Sequence, residues 1–183
     1  MATAVDRSKQ YFPLAGGASD GWSNETEATA TCFCGAVQLV FPLQKPGLID
    51  TFVCNCTDCH KITASMFASN FIVADTHLRH VRGQENLKTF GQSKTIKSGH
   101  QMTNHFCGTC GTLMYRVSAR WPGTSVLRIG TVDDFSLMNT VLKPRIELFV
   151  EERMGWMGEV KGAVQSEEMK RYGSEEGGKG AVL

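Results

Sequence analysis

The 183 residues carry 19 Lys plus Arg against 18 Asp plus Glu, a formal charge of +1, with 42% apolar and 20% charged residues. That length suits one domain with a hydrophobic core rather than two, and the even charge balance excludes the concentrated positive field that a polyanion needs, so no nucleic-acid partner is expected. No apolar run approaches the roughly 20 residues of a membrane-spanning helix, and Met1 to Trp22 lacks the basic start and apolar block of a secretory signal, so the chain reads as soluble and cytoplasmic with no membrane partner.

Along the chain, residues 1–27 read as a mobile leader of small and polar residues, with Trp22 as its one anchor. The Asn24-Glu25-Thr26 triplet matches a glycosylation sequon, which has no consequence without secretion. Residues 28–160 read as the folded domain. Residues 161–183 read as a short helix, capped by Ser166 and stopped by Gly173, followed by a flexible glycine-rich tail. Within the domain, short β-rich runs bounded by turn residues recur. They are Ala36–Phe41, Leu48–Val53, Phe67–Val73, Leu78–Val81, Leu87–Phe90, Met102–Phe106, Thr112–Val117, Val126–Ile129 and Ile146–Val150. One short helix is expected from a Thr57-Asp58 cap through Ala64. The predicted fold class is therefore mainly β, antiparallel, with one or two short helices.

Seven cysteines is an odd number, which counts against a complete disulfide framework and fits metal binding or redox chemistry in a reducing compartment. They form three groups: Cys32 and Cys34; Cys54, Cys56 and Cys59; Cys107 and Cys110. Cys107-Gly108-Thr109-Cys110 is a knuckle whose spacing lets two sulfurs reach one tetrahedral ion, with a glycine nearby to let backbone pass close to them. Gly35 plays that part after the first pair, and the two pairs together satisfy four positions of a structural Zn²⁺. Buried apolar thiols are the bland alternative. A thioredoxin-like redox pair is another, but it wants a βαβ context that this chain does not offer. Cys54, Cys56 and Cys59 then form a three-thiolate cup with no further cysteine to close it, as expected of a zinc site that keeps a position for a ligand. Soft thiolates select zinc over Mg²⁺ or Ca²⁺, and an Fe–S cluster is the other occupant considered. Two Zn²⁺ on seven thiolates would bring the formal charge to −2. His60 follows Cys59 directly, but adjacent residues rarely face one ion, so His60 and Lys61 are read as rim residues and Asp58 as a helix cap.

These groups carry a resemblance. Thr31-Cys32-Phe33-Cys34-Gly35-Ala36-Val37, Cys54-Asn55-Cys56-Thr57-Asp58-Cys59-His60-Lys61 and His105-Phe106-Cys107-Gly108-Thr109-Cys110-Gly111-Thr112 closely resemble the glutathione-dependent formaldehyde-activating enzyme family, which includes centromere protein V-like proteins. Gly83 to Phe90 and Arg145 to Trp156 share that family's spacing, and the resemblance spans about Ala28 to Met157. It implies a fold like the Mss4-like superfamily, zinc-bound antiparallel sheets. It assigns a structural zinc to Cys32, Cys34, Cys107 and Cys110, and a functional zinc to Cys54, Cys56 and Cys59. It further implies a carbon–sulfur lyase acting on a thiol–aldehyde adduct such as S-hydroxymethylglutathione, with glutathione as a small-molecule partner. Family members often carry arginine where this chain has Asn104. A larger electrophilic metabolite is therefore a second candidate substrate, and a non-enzymatic zinc-stabilised binding module a third reading. Expected substrate-binding residues are Lys61, Phe67 and Asn104, with Lys94, Lys97 and Arg116 as candidate cations. Phe52, Phe67 and Phe71 are the aromatics expected near the three-cysteine site.

Overall fold

The computed structural model of the protein describes Asp6 and residues 8–169. Eleven strands follow in chain order among them: β1 (Glu27–Thr31), β2 (Gln38–Pro42), β3 (Leu48–Cys54), β4 (Ala68–Ala74), β5 (Arg79–Arg82), β6 (Leu87–Gln92), β7 (Met102–Cys107), β8 (Leu113–Ser118), β9 (Thr124–Arg128), β10 (Ile146–Leu148) and β11 (Val164–Ser166). Two short helices join them, α1 (Thr57–Thr63) and α2 (Ser136–Asn139). The fold is mainly β, as the alternating runs imply.

The strands make two sheets. β1, β2 and β5 form a three-stranded antiparallel sheet, and the other eight run in the order β11-β10-β3-β4-β9-β8-β7-β6. The pairing is mainly antiparallel, as expected, with parallel pairs at one edge of the large sheet, where β10 pairs with β3 and β11 with β10. The long chain between β3 and β10 supplies the crossover that a parallel pair requires.

Alternation along each strand divides the large sheet into two faces. Phe71 and Val73 of β4 join Leu127 and Tyr115 in a core shared with the small sheet, where the Phe41 and Phe71 rings lie 4.7 Å apart. Ala68 and Ile72 of the same strand face the other way, packing with Phe52, Cys54, Cys59, Val126 and Leu148. Each fully buried Phe contributes roughly 1.5–3 kcal/mol of apolar transfer. The second, smaller core is the floor on which the three-cysteine group sits.

The N-terminal segment is tied down at several points. Trp22, the expected anchor, is held through its backbone, its amide N–H donating to Thr29 Oγ1 at 2.9 Å and its carbonyl accepting from Thr29 N at 3.0 Å. Gly17 N donates to Phe33 O at 2.7 Å, and Phe135 N to Tyr11 O at 2.8 Å. Asp134, 1% exposed, accepts from Tyr11 N, Ser23 Oγ, and both N and Oγ of Ser136. At the other end Ser166 closes strand β11 rather than capping a helix, because Val164 to Ser166 pair with β10. The remainder of the expected helix and tail, from residue 170, lies outside the described residues.

Candidate metal centre and cavity

Cys32 and Cys34 follow β1 of the small sheet, while Cys107 ends β7 and Cys110 precedes β8 of the large one. Tight turns aim them together: Gly35 N donates to Cys32 O at 2.9 Å, and Gly111 N to Cys107 O at 2.9 Å. Gly35 (φ +81°) and Gly111 (φ +73°) both occupy the left-handed region that glycine enters freely. A Cβ on Gly35 would also meet Gly17 O at 2.7 Å. The four sulfurs lie within 4.8 Å of one another, with Cys32–Cys34 at 3.6 Å and Cys34–Cys107 at 3.7 Å. Zinc–sulfur bonds of about 2.3 Å place tetrahedral sulfurs about 3.8 Å apart, so this donor set fits a zinc ion.

The second group comes from one short stretch. Cys54 ends β3, Cys56 is the residue before α1 and Cys59 lies in the helix, their sulfurs again within 4.8 Å and Cys54–Cys56 at 3.4 Å. His60 is not among the side chains grouped with either cluster. No Thr57 or Asp58 side chain caps α1, contrary to expectation. Glu152 arrives from elsewhere in the chain instead, accepting from Thr57 N at 2.7 Å and Thr57 Oγ1 at 2.8 Å. Asp58 accepts from Thr95 Oγ1 at 2.7 Å.

Two buried networks hold this group in place. Asn55, between the first two cysteines, donates Nδ2 to Glu147 Oε1 at 3.0 Å and to Leu148 O at 3.2 Å. Glu147 is 1% exposed, and its Oε2 accepts from Val160 N at 2.8 Å and faces Arg153 Nη1 at 3.1 Å. Burial pushes its carboxyl upward, but Val160, Asn55 and Arg153 outweigh that and hold it below the ordinary glutamate value. Behind the sulfurs, Arg116 of β8 and Arg128 of β9 are each 6% exposed. Arg116 Nη1 donates to Cys59 Sγ at 3.7 Å. Its bonds from Cys54 and Cys56, with Arg116 and Arg128 adding to them, hold the Cys59 thiol well below the usual thiol value despite burial. The same sulfur–sulfur bonding, with burial, drives Cys54 the other way.

A cavity of about 660 Å³ opens on Cys54, Cys56 and Arg116. Its apolar wall comprises Ile96, Met102, Trp121, Phe149 and Met169, and its charged side chains include Lys97, Arg120, Asp58, Glu152 and Glu168. Lys97 is paired with Glu168 at 2.7 Å. The Arg120 guanidinium lies 5.3 Å from the centre of the Trp121 ring.

Of the expected substrate contacts, the cavity brings in Lys97 and Arg116 and leaves out Lys61, Phe67, Asn104 and Lys94. Lys61 is on an exposed part of α1, and Asn104 is buried opposite Arg116 across the β7–β8 pair. Phe52 and Phe71 are fully buried on opposite faces of the sheet, and neither lines the cavity. Trp121 and Phe149 supply the aromatic wall instead. Arg116 and Arg128 carry a sequence signal of their own, a lone charge inside the apolar runs Leu113–Val117 and Val126–Ile129. Glu147 carries none, because a Glu on a short strand reads as solvent-facing until its partners are known.

Residues 27–152 match the family model described as glutathione-dependent formaldehyde-activating enzyme. Among solved structures, the crystal structure of a Rhodobacter sphaeroides protein is similar at a TM-score of 0.46 and 21% identity, covering 75% of this chain and 98% of that one. No curated protein matches the chain.

Proposed function

From the premise that the chain belongs to the glutathione-dependent formaldehyde-activating enzyme family, we propose that it is a zinc-dependent carbon–sulfur lyase handling a thiol–aldehyde adduct such as S-hydroxymethylglutathione. The observation that carries this reading is the asymmetry of the two cysteine groups. The four-cysteine group is complete in itself, whereas the three-cysteine group has one ligand fewer and two of its members line a cavity. Structural zinc sites are closed by four protein ligands, and reactive ones leave a position for substrate.

Cys32, Cys34, Cys107 and Cys110 would hold one zinc, and Cys54, Cys56 and Cys59 a second. Zinc at the three-cysteine group would supply a cation that favours the thiolate form of a bound sulfur and polarises a carbonyl oxygen. In the adduct-forming direction the substrate sulfur attacks the aldehyde carbon, a C–S bond forms, and the thiol proton ends on the new hydroxyl. The reverse direction breaks that bond. Met102, Trp121, Phe149 and Met169 exclude water from the reacting atoms, while Lys97 and Arg120 offer cations to substrate carboxylates. Asn55, held by Glu147, fixes the backbone between two of the sulfurs. The cytoplasm, which keeps thiols reduced, suits seven free cysteines.

A second reading keeps the chemistry and replaces the substrate with a larger electrophilic metabolite. The apolar wall of the cavity favours it, since a hydroxymethyl group alone would leave that surface uncovered. The test is turnover of S-hydroxymethylglutathione by the wild-type protein and by Cys56→Ser, with zinc content measured in both. Two zincs and turnover in the wild type, one zinc and none in the variant, is the expected result. One zinc in the wild type would end the proposal.

A further inference from the structure

Phe149 stands in a backbone conformation that its side chain does not favour. Its φ of 57° and ψ of 51° lie in the left-handed region, and Ala64 is the other non-glycine residue with positive φ among those described. A Cβ there crowds the following carbonyl, so glycine suits the position and a bulky residue is an outlier. The turn itself has a cause on each side. Before it, Leu148 O accepts from Asn55 N at 3.0 Å and from Asn55 Nδ2 at 3.2 Å. After it, Val150–Glu152 form a short 3-10 helix that brings Glu152 to Thr57 N and Oγ1. The chain is thus tied to both neighbours of Cys56, and the turn at Phe149 joins the two ties. They explain the turn, which glycine would make more freely than phenylalanine.

The place of the ring accounts for the phenylalanine. Phe149, like Cys56 and Met169, packs against the small core that holds Cys54 and Cys59, and it lines the cavity of about 660 Å³. The residue is half-buried and so keeps accessible surface. Backbone strain of this kind persists where the surrounding contacts over-determine it, and it gathers at the walls of ligand sites. Trp121 is a second aromatic on the same wall, with Ile96, Met102 and Met169 completing its apolar surface. A ligand in this cavity therefore meets two aromatic side chains as well as the cations of Lys97 and Arg120. An aryl group is the substituent that such a wall contacts best, because ring pairs gain beyond the area they bury.

We propose that Phe149 is a specificity-determining residue, its strained backbone holding the ring as the wall that receives an aryl group carried on the carbon next to the substrate sulfur. The preferred substrate class is then the thiol adduct of an aryl aldehyde, ahead of the formaldehyde adduct. This rests on the reading of the cavity as a substrate site and deepens its larger-substrate form. The test titrates the full zinc-supplemented chain by calorimetry with two unreactive thioethers, S-benzylglutathione and S-methylglutathione. Wild type should bind the benzyl compound about tenfold more tightly. Phe149→Gly and Phe149→Ala should bring that ratio close to one, with S-methylglutathione binding changed by no more than about twofold. A side chain that only held the fold would move both ligands together. In thermal melts Phe149→Gly, which frees the backbone, should stand above Phe149→Ala, which keeps the strain without the ring. Should either variant fail to fold, Phe149→Leu carries the selectivity comparison. A benzyl-to-methyl ratio near one in wild type, or one left unchanged in the variants, overturns this proposal alone. Wild type that binds neither thioether and leaves S-hydroxymethylglutathione unturned overturns it together with the reading beneath it.

Discussion

The two cysteine clusters use the same donor atom and differ in everything around it. The four-cysteine cluster draws its sulfurs from both sheets, and the polar groups that reach its sulfurs are neutral: Val37 N to Cys32 Sγ at 3.2 Å, Asn86 Nδ2 to Cys107 Sγ at 3.6 Å, and Thr112 Oγ1 beside Cys110 Sγ at 3.2 Å. The three-cysteine cluster draws all its sulfurs from one strand-to-helix connection. Buried charge surrounds it, with Arg116 and Arg128 on one side and the Glu147–Arg153 pair on the other. A cluster placed between sheets, with neutral donors, suits holding a fold together. A cluster that is short of one ligand, backed by cations and open to a cavity suits binding something else.

Breaking either cluster separately is the harshest test of that contrast. Cys107→Ser should abolish cooperative thermal unfolding, because structural zinc binding is folding free energy of about 10 kcal/mol or more. Cys56→Ser should keep the melt, lose one zinc and lose activity. Equal loss of stability in both would erase the distinction between the clusters. Glu147→Ala sharpens it further: leaving Arg153 and Asn55 without their buried partner should cost about 3 kcal/mol and release metal from the three-cysteine cluster first, as read by melting and zinc content. Trp121→Ala should raise KM by about tenfold, the loss of an aromatic contact of about 1.4 kcal/mol, with little change in melting temperature.

The smallest effect belongs to the body that carries the four-cysteine cluster. Burial pushes the Asp134 carboxyl up, but hydrogen bonds from Ser23, Ser136 and Tyr11 outweigh it and leave it below its ordinary value of 3.8. Its contribution is therefore complete above about pH 4 and is lost as pH falls through the lowered folded value. Asp134→Asn should cost about 1 kcal/mol near neutrality and flatten the acid limb of melting temperature against pH.

Local pattern made the strands, α1 and the cysteine grouping legible, because each depends on residues close in sequence. Two strands were hidden: β1, since Glu-Ala-Thr-Ala-Thr has little strand character until pairing with β2 buries it, and β11, which lies in a stretch read as helix and tail and forms by pairing with β10. The parallel pairing of β10 and β11 depends on partners far away in the chain and left no local trace. The same limit applied to the site. The metal-capable cysteines were readable from spacing, but Glu147, Glu152 and Trp121 reach their places only through tertiary packing. Phe52 and Phe71 looked alike as strand aromatics near the cysteines. Their separation by sheet face follows from which strands pair and in what register.

Cys34 and Cys107 are 73 positions apart, while Cys54 to Cys59 span a single turn of chain. An ion on the first set is a cross-link that closes a long loop and removes freedom from the unfolded chain, much as a disulfide would. An ion on the second set closes almost no loop and withholds almost no entropy. An ion held by the second set would therefore be exchangeable at little risk to the architecture, while one held by the first would act as a staple.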